Sequence, residues 1–535
     1  MSSNILDRLT DEVTDIAGRL ESPAEASAVL ESLGYTDESA REMGYPDIFV
    51  VGVEVYEHQS EDEAARRHRM AIEAELRQRD LDAVRPTSLA VFLPRFLLKG
   101  FTFAAPMIVM LVSVLVLLYS LWAYFYFDVP RGSAIAVGTV GSYLVTAGFM
   151  QSIGRRGLMY LRQDMALLSL KISLVLVVAG LITVAISAVL LYGFLLVFPV
   201  LAPSETGIAV LYFVSMSCLW LGLAIVYMLQ QEIWFLFAIS LGIAVVWYLR
   251  EVLGSSIVVA HQIGILTAAV FSMIIGTILL AITDRRSQRD RKSPLAGTLP
   301  RFSVIALSTA PYFAYGFIYF SFLFADRILA WTGKTAYRQS FVWFQSDYEI
   351  GLNWALVALI VAFGVLEFTT YRLGELVAFH SQQHSLLRVE RFTSALLGMY
   401  RRSVLAYLGA AVIGIIGAYV LVRAFLEPNE PLVDTLIDNT AVLVYWVAAI
   451  SYLFVVWALL NNVFLFSFSR PGFALRGVIV GLVVNVVVGF ILSRVIEYWA
   501  AVFGLLAGSI VLWAISTYYV VKMLRKMDYY AYSAF

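Results

Sequence analysis

The sequence predicts an all-α polytopic membrane protein, about 12 transmembrane helices in two six-helix bundles, with a small N-terminal helical cytoplasmic domain in front of them. Three observations predict it. Hydrophobic residues make up 60% of the 535 positions and charged residues only 14%, against roughly 25% charged in ordinary soluble domains. Uncharged runs recur from about residue 101 onward, each reaching the roughly 20 residues that cross a hydrocarbon core. Lipid offers no partner to backbone N–H and C=O groups, so continuous apolar runs of that length are helices. Charge also segregates: residues 1–95 hold 20 acidic and 10 basic side chains, and the remainder holds 19 and 28. An acidic solvated module therefore precedes a membrane body with basic loops.

The elements follow in order. Residues 1–20 form a polar helix without the apolar core of a signal peptide, so the first internal span is expected to lead insertion. Ser22, Pro23 and Glu25 fit a helix start as N-cap, N1 and N3. Gly34 ends that helix, and Thr36 with Asp37 and Glu38 begins another that carries Ile48, Phe49, Val50 and Val53. A charged stretch from Glu61 to Asp82 leads, through Pro86 and Pro94, to the membrane. Spans are expected at 103–126, 132–153, 172–200, 206–228, 232–249, 256–282, 303–325, 351–370, 403–425, 438–464, 476–496 and 499–521. The predicted organisation is an acidic cytoplasmic domain (1–95), a first bundle (96–284), a cytoplasmic linker (285–302), a second bundle (303–522) and a cytoplasmic tail (523–535).

With the N-terminus inside, 19 Lys and Arg residues fall on the cytoplasmic face and 7 on the other, so both termini are expected in the cytoplasm of a cell-membrane protein. The linker carries Pro294, Gly297 and Pro300 among its charges, as a hinge between bundles does. Six spans on either side of it suit alternating access around a midplane cavity.

Ionisable groups within lipid are costly and usually face a cavity or a partner. Glu367 lies near the cytoplasmic end of the eighth span and His261 with Gln262 about one turn inside the sixth. Glu367 either faces a cavity or pairs with Arg372; His261 is more often an interhelical hydrogen-bonding group than a proton relay. Asn353, Asn461, Asn462 and Asn485 read first as helix glue, although amides also suit carbohydrate. Trp122, Trp247, Trp331, Trp343 and Trp499 fall near span ends, where an aromatic belt accounts for them. Several functions are disfavoured. Lys and Arg form no stripe for nucleic acid. Cys218 is the single cysteine, which leaves no disulfide or thiolate cluster. Thr332-Gly333-Lys334-Thr335 lacks the first glycine of a P-loop, and His380 with His384 has no third ligand, so neither a nucleotide site nor a metal site, and no cofactor, is expected. Gly504 and Gly508 make a GxxxG packing motif.

Asp326-Arg327-Ile328-Leu329-Ala330-Trp331, then Tyr348-Glu349 opening the next span and Glu367 within it, resembles the Pel-type exopolysaccharide exporter subunits (PelG-like). These belong to the multidrug/oligosaccharidyl-lipid/polysaccharide (MOP) superfamily of MATE-like flippases. Asp528-Tyr529-Tyr530 and Tyr532 in the tail are similar too, and the likeness in span count covers residues 97–530. The resemblance implies a V-shaped pair of bundles that moves a glycan or lipid-linked glycan received from a cytoplasmic glycosyltransferase and other membrane subunits of a synthase complex. Asp326, Arg327, Trp331, Tyr348, Asn353, Glu367, His261 and Gln262 are the candidate substrate-pathway residues. Two alternatives remain from the residues themselves. A cation-coupled small-molecule antiporter needs a carboxylate deep in the first bundle, where only the end-proximal Glu232 and Glu251 are found. A membrane-embedded glycosyltransferase needs acidic groups in large extracytoplasmic loops, and the largest, about residues 326–350, offers Asp326, Asp347 and Glu349. A scaffold subunit recruiting partners through the acidic module is compatible with export.

Overall fold

The computed structural model describes residues 2–18, 20, 22–59, 105–114, 116–163, 165–290, 299–335, 340–382, 389–426 and 438–526. The chain divides into two compact units, Met1–Thr87 and Ser88–Phe535. The charged stretch from Glu61 to Asp82, Pro86, Pro94, residues 291–298 of the predicted linker, His384 and the tail tyrosines lie outside the described residues.

The first unit contains α1 (Ser2–Ala17), α2 (Pro23–Ser32), α3 (Asp37–Glu42) and α4 (Ile48–Gln59). Ser22 caps α2 as expected, accepting from the Glu25 amide at 3.2 Å with Pro23 in the first turn. The helix expected from Thr36 through Val53 is two helices. Gly34 and Gly44 adopt φ of +92° and +90°, and the amides after them, Tyr35 and Tyr45, close back onto the Leu30 and Ala40 carbonyls at 3.0 and 2.9 Å. These are Schellman closures, which a glycine in left-handed conformation permits. Pro46 then brings no N–H with which to continue α3. Asp37 accepts from the Ile48 amide at 3.1 Å and ties the start of α4 to that of α3. Leu9 and Val13 of α1, Leu30 of α2 and Val51 and Val55 of α4 bury one another in the core.

The second unit is helical throughout its described residues apart from short connections. It comprises α5 (Ala105–Val114), followed by α6 (Val129–Ser152), α7 (Ala166–Val197), α8 (Thr206–Met228), α9 (Glu232–Trp247) and α10 (Ile257–Asp290). Then come α11 (Phe302–Trp331), α12 (Ser346–Ala358), α13 (Ile360–Gln382), α14 (Val389–Leu426), α15 (Asn439–Ser467), α16 (Pro471–Val495) and α17 (Val502–Arg525). Among the described residues ten helices are long and apolar enough to cross a membrane, and α12 with α13 makes an eleventh if the pair is one span bent by 47°. The chain is a multi-pass membrane protein.

Two expected spans differ from the structure. The helix in the first, 103–126, stops early: Leu118 takes φ +64° and Tyr119 bridges to Tyr124, so the apolar run folds back on itself. The eighth, 351–370, is the broken pair, and it starts earlier because Tyr348 and Glu349 already lie in the first turn of α12. In the first half α8 packs on α6 and α10; in the second α11 packs on α16, and α17 on α15 and α16. Gly504 of the predicted packing motif seats α17 on the Asn485 carbonyl and Gly489 of α16. The halves meet where α11 lies along α6. Gly148 leaves room there for Phe313, and Gly316 for the Ala147 carbonyl, so the two helices approach more closely than a methyl group would allow.

Candidate substrate pathway

Helical spacing builds the densest polar cluster. Arg327 and Trp331 are four residues apart on α11 and share a face; Glu349 and Asn353 do the same on α12. The faces meet. Arg327 pairs with Glu349 in a buried salt bridge, the Trp331 indole donates to the other Glu349 oxygen at 2.9 Å, and Arg327 also donates to the Asn353 side-chain oxygen at 3.3 Å. Asp326 does not pair with its neighbour Arg327: it accepts from the Tyr348 hydroxyl at 2.7 Å, and its second oxygen has no hydrogen-bond partner. Two acids and one guanidinium thus lie in a fully packed site, where Arg327 pairs with Glu349 and Asp326 is 0% exposed. Five predicted residues, Asp326, Arg327, Trp331, Tyr348 and Asn353, come together here. Glu349, not among the predicted pathway residues, holds the cluster together. Trp331 is no belt residue; it is buried at 3% exposure.

This cluster also carries a strap between the halves. Beyond Trp331 the chain returns across its own half, the Trp343 amide donating to the Trp331 carbonyl at 2.9 Å. It then docks on the first half, where Val342 donates to the Val200 carbonyl at 3.1 Å and Phe344 to the Ser133 hydroxyl at 2.9 Å. Leu201, Ala134, Trp331 and Val342 bury one another around this crossing.

The remaining predicted residues lie elsewhere. His261 on α10 is fully buried and shares a 2.7 Å hydrogen bond with the Tyr212 hydroxyl of α8, its other ring nitrogen having no partner. Gln262 is 8% exposed, and neither its amide nitrogen nor its oxygen has a partner. Glu367, on α13 beyond the bend, lies 3.5 Å from the Tyr227 hydroxyl at the end of α8, so a side chain of each half meets the other there. Beside it Arg155, in a π-helical turn (Ile153–Gly157) that continues α6, sits 4.4 Å over the Phe466 ring of α15. Asn461 is helix glue, accepting from Tyr400 and donating to Ser516 and Thr517; Asn485 donates to the Phe322 carbonyl.

Sequence reasoning missed the middle of the seam. Tyr143 of α6 stacks on Trp220 of its own half at 4.3 Å and on Phe320 of the other half at 5.4 Å between ring centroids. Its only advance signal was a tyrosine well inside a span, away from either aromatic belt. No group of three or more His, Cys, Asp or Glu able to hold a metal occurs among the described residues.

No protein-family model and no curated protein matches the chain. Solved structures do. A variant of the MATE transporter VcmN of Vibrio cholerae superposes with a TM-score of 0.54 at 14% identity, covering 83% of this chain and 99% of that one. The chain shares its fold with MATE transporters. A second form of VcmN, described as bent, gives 0.52 at 14% identity over 83% and 99% of the two chains, and another MATE variant gives 0.52 at 14% over 84% and 98%.

Proposed function

We propose that the chain moves a glycan, or a lipid-linked glycan, across the cytoplasmic membrane by alternating access between its two halves, in the manner of the Pel-type exporters it resembles. Both termini then face the cytoplasm, and the N-terminal unit receives a glycosyltransferase or another subunit of a synthase complex. The observation that carries this reading is the chemistry of the first half. Its carboxylates among the described residues, Asp128, Glu205, Glu232, Glu251 and Asp284, all sit at or near helix ends. The buried polar groups of its interior are instead uncharged hydrogen-bonding side chains such as Tyr212, Ser142 and Gln262. Such a lining suits hydroxyl-rich, uncharged ligands, whereas an antiporter driven by a cation in that half needs a carboxylate there. The strap and the Glu367–Tyr227 contact join the halves at two places and must loosen in turn, each state favoured by whichever ligand it binds better.

The test is a strain deleted for this gene and complemented with variants. Deletion is expected to abolish surface polymer and leave ethidium efflux unchanged. Asp326→Asn or Glu367→Gln is expected to cut polymer export severalfold at normal protein abundance. Full export in both variants removes those residues from the pathway; intact polymer with lost ethidium efflux in the deletion strain replaces the reading with the antiporter.

A further inference from the structure

We propose that the aromatic run crossing the seam is a stacking track for pyranose rings, with Tyr143 as the wedge that a sugar displaces; this rests on the glycan reading above and names where and how the sugar is held. Tyr143 stacks on Trp220 and on Phe320 with interplanar angles of 27° and 12°, and Phe324 lies 5.2 Å from it at 33°, so rings of both halves pack on this one tyrosine. The run continues along α11. Phe320 meets Tyr319 edge-on at 5.6 Å, Tyr319 stacks on Tyr315 at 5.7 Å and 8°, and Tyr315 meets Phe466 of α15 at 4.8 Å. Tyr315 and Tyr319 are four residues apart and share one helix face. From Phe320 to Tyr315 the track advances about 7.5 Å along the helix axis, on the scale of one sugar residue.

Polar atoms beside the rings point the same way. The hydroxyls of Tyr143 and Tyr319 make no hydrogen bond among the described residues, although Tyr319 is only 8% exposed. Asn462, 2% exposed and one turn before Phe466 on α15, donates to the Tyr315 hydroxyl at 2.9 Å while its side-chain oxygen has no partner. An aromatic core that served packing alone would gain nothing from an unpartnered oxygen such as that of Asn462, because buried polar groups are ordinarily paired. A pyranose uses both features. Its axial C–H face is apolar and packs on a ring face, while its equatorial hydroxyls reach donors and acceptors at the ring edges. Entry of a sugar between Trp220 and Phe320 replaces ring–ring contacts between the halves with ring–sugar contacts. Substrate occupancy thereby favours the separated state of the seam.

Calorimetric titration of the purified full-length protein in nanodiscs with cellohexaose, a neutral β-linked hexasaccharide, and separately with ethidium, a planar organic cation, tests this. Cellohexaose is expected to bind. Tyr143→Leu and Trp220→Leu are expected to weaken it about tenfold, and Tyr143→Phe, which keeps the ring, about threefold or less. Phe198→Leu, in an exposed ring pair with Phe194, leaves it unchanged. Should Tyr143→Leu fail to fold, Tyr319→Phe removes only a hydroxyl and is expected to weaken binding about threefold. Cellohexaose binding that Tyr143→Leu, Trp220→Leu and Tyr319→Phe all leave intact overturns the track but not the glycan reading. Ethidium binding without hexasaccharide binding overturns both.

Discussion

Arg8, Glu12 and Tyr35 of the N-terminal unit and Arg327, Glu349 and Tyr348 of the membrane unit use the same three side-chain types to different effect. In the first set Arg8 pairs with Glu12 at 3.0 Å and the Tyr35 hydroxyl donates to the same carboxylate at 2.9 Å, with the side chains of Arg8 and Glu12 73% and 36% exposed. In the second set the side chains of Arg327 and Glu349 are 10% and 7% exposed. Water competes for every group of the first set and screens it, so losing one member leaves the others solvated. The second set has no such fallback. A charge left alone there stays desolvated, and its loss also frees the Trp331 indole and, through Trp331, the strap between the halves. The chemistry is shared; the medium decides whether it decorates a surface or fixes a joint.

The largest expected effect probes that joint. Arg327→Leu is expected to destabilise the membrane unit by about 3–5 kcal/mol, the cost of a buried carboxylate stripped of its partner, read as a lower melting temperature and reduced yield of monodisperse protein. The double variant Arg327→Leu with Glu349→Leu is expected to recover most of the loss, because the damage lies in the unpaired charge and not in the missing bond. A double variant as unstable as the single one would break the comparison. An intermediate case is the uncharged pair of the first half. Tyr212→Phe leaves His261 buried with neither ring nitrogen bonded and is expected to cost about 1–3 kcal/mol by the same melting assay. A loss as large as that of Arg327→Leu would show that burial alone, without charge, sets the scale.

The same contrast explains which parts were legible in the sequence. The long spans were, because an apolar run of membrane length admits few folds. Their interruptions were not: nothing in the residues around Leu118 announces a positive φ, and the bend between α12 and α13 falls in a uniformly apolar stretch. Of the site, the composition of the Asp326 cluster was visible and its pairing was not. Asp326 and Arg327 are adjacent in the chain, but consecutive residues of a helix point about 100° apart, so each finds its partner on α12 instead. Trp331 looked like a belt residue because its position near a span end says nothing about which way it faces. Tyr143 and Phe320 could not be joined on paper, since what unites them is the contact of two halves and not a spacing within either.

The smallest effect belongs to the exposed set, and its pH dependence sharpens the comparison. The Tyr35 hydroxyl, and after it Arg8, hold the Glu12 carboxyl below its ordinary range. A group depressed on folding stabilises above its unfolded value, about 4.3 for glutamate, and that contribution is lost as pH falls through the folded value. The Tyr35 phenol is raised, first by its hydrogen bond to Glu12, so its contribution holds below the unfolded value of about 10 and fades as pH rises through the folded one. Melting of the N-terminal unit, followed in the full-length protein between about pH 3 and 7, is therefore expected to show a shallow acid loss that Tyr35→Phe reduces. Arg8→Ala is expected to change the melting temperature at neutral pH by less than the scatter of replicate melts. A loss on Arg8→Ala that approached that of Arg327→Leu would mean that the exposed triad, too, is sheltered from water.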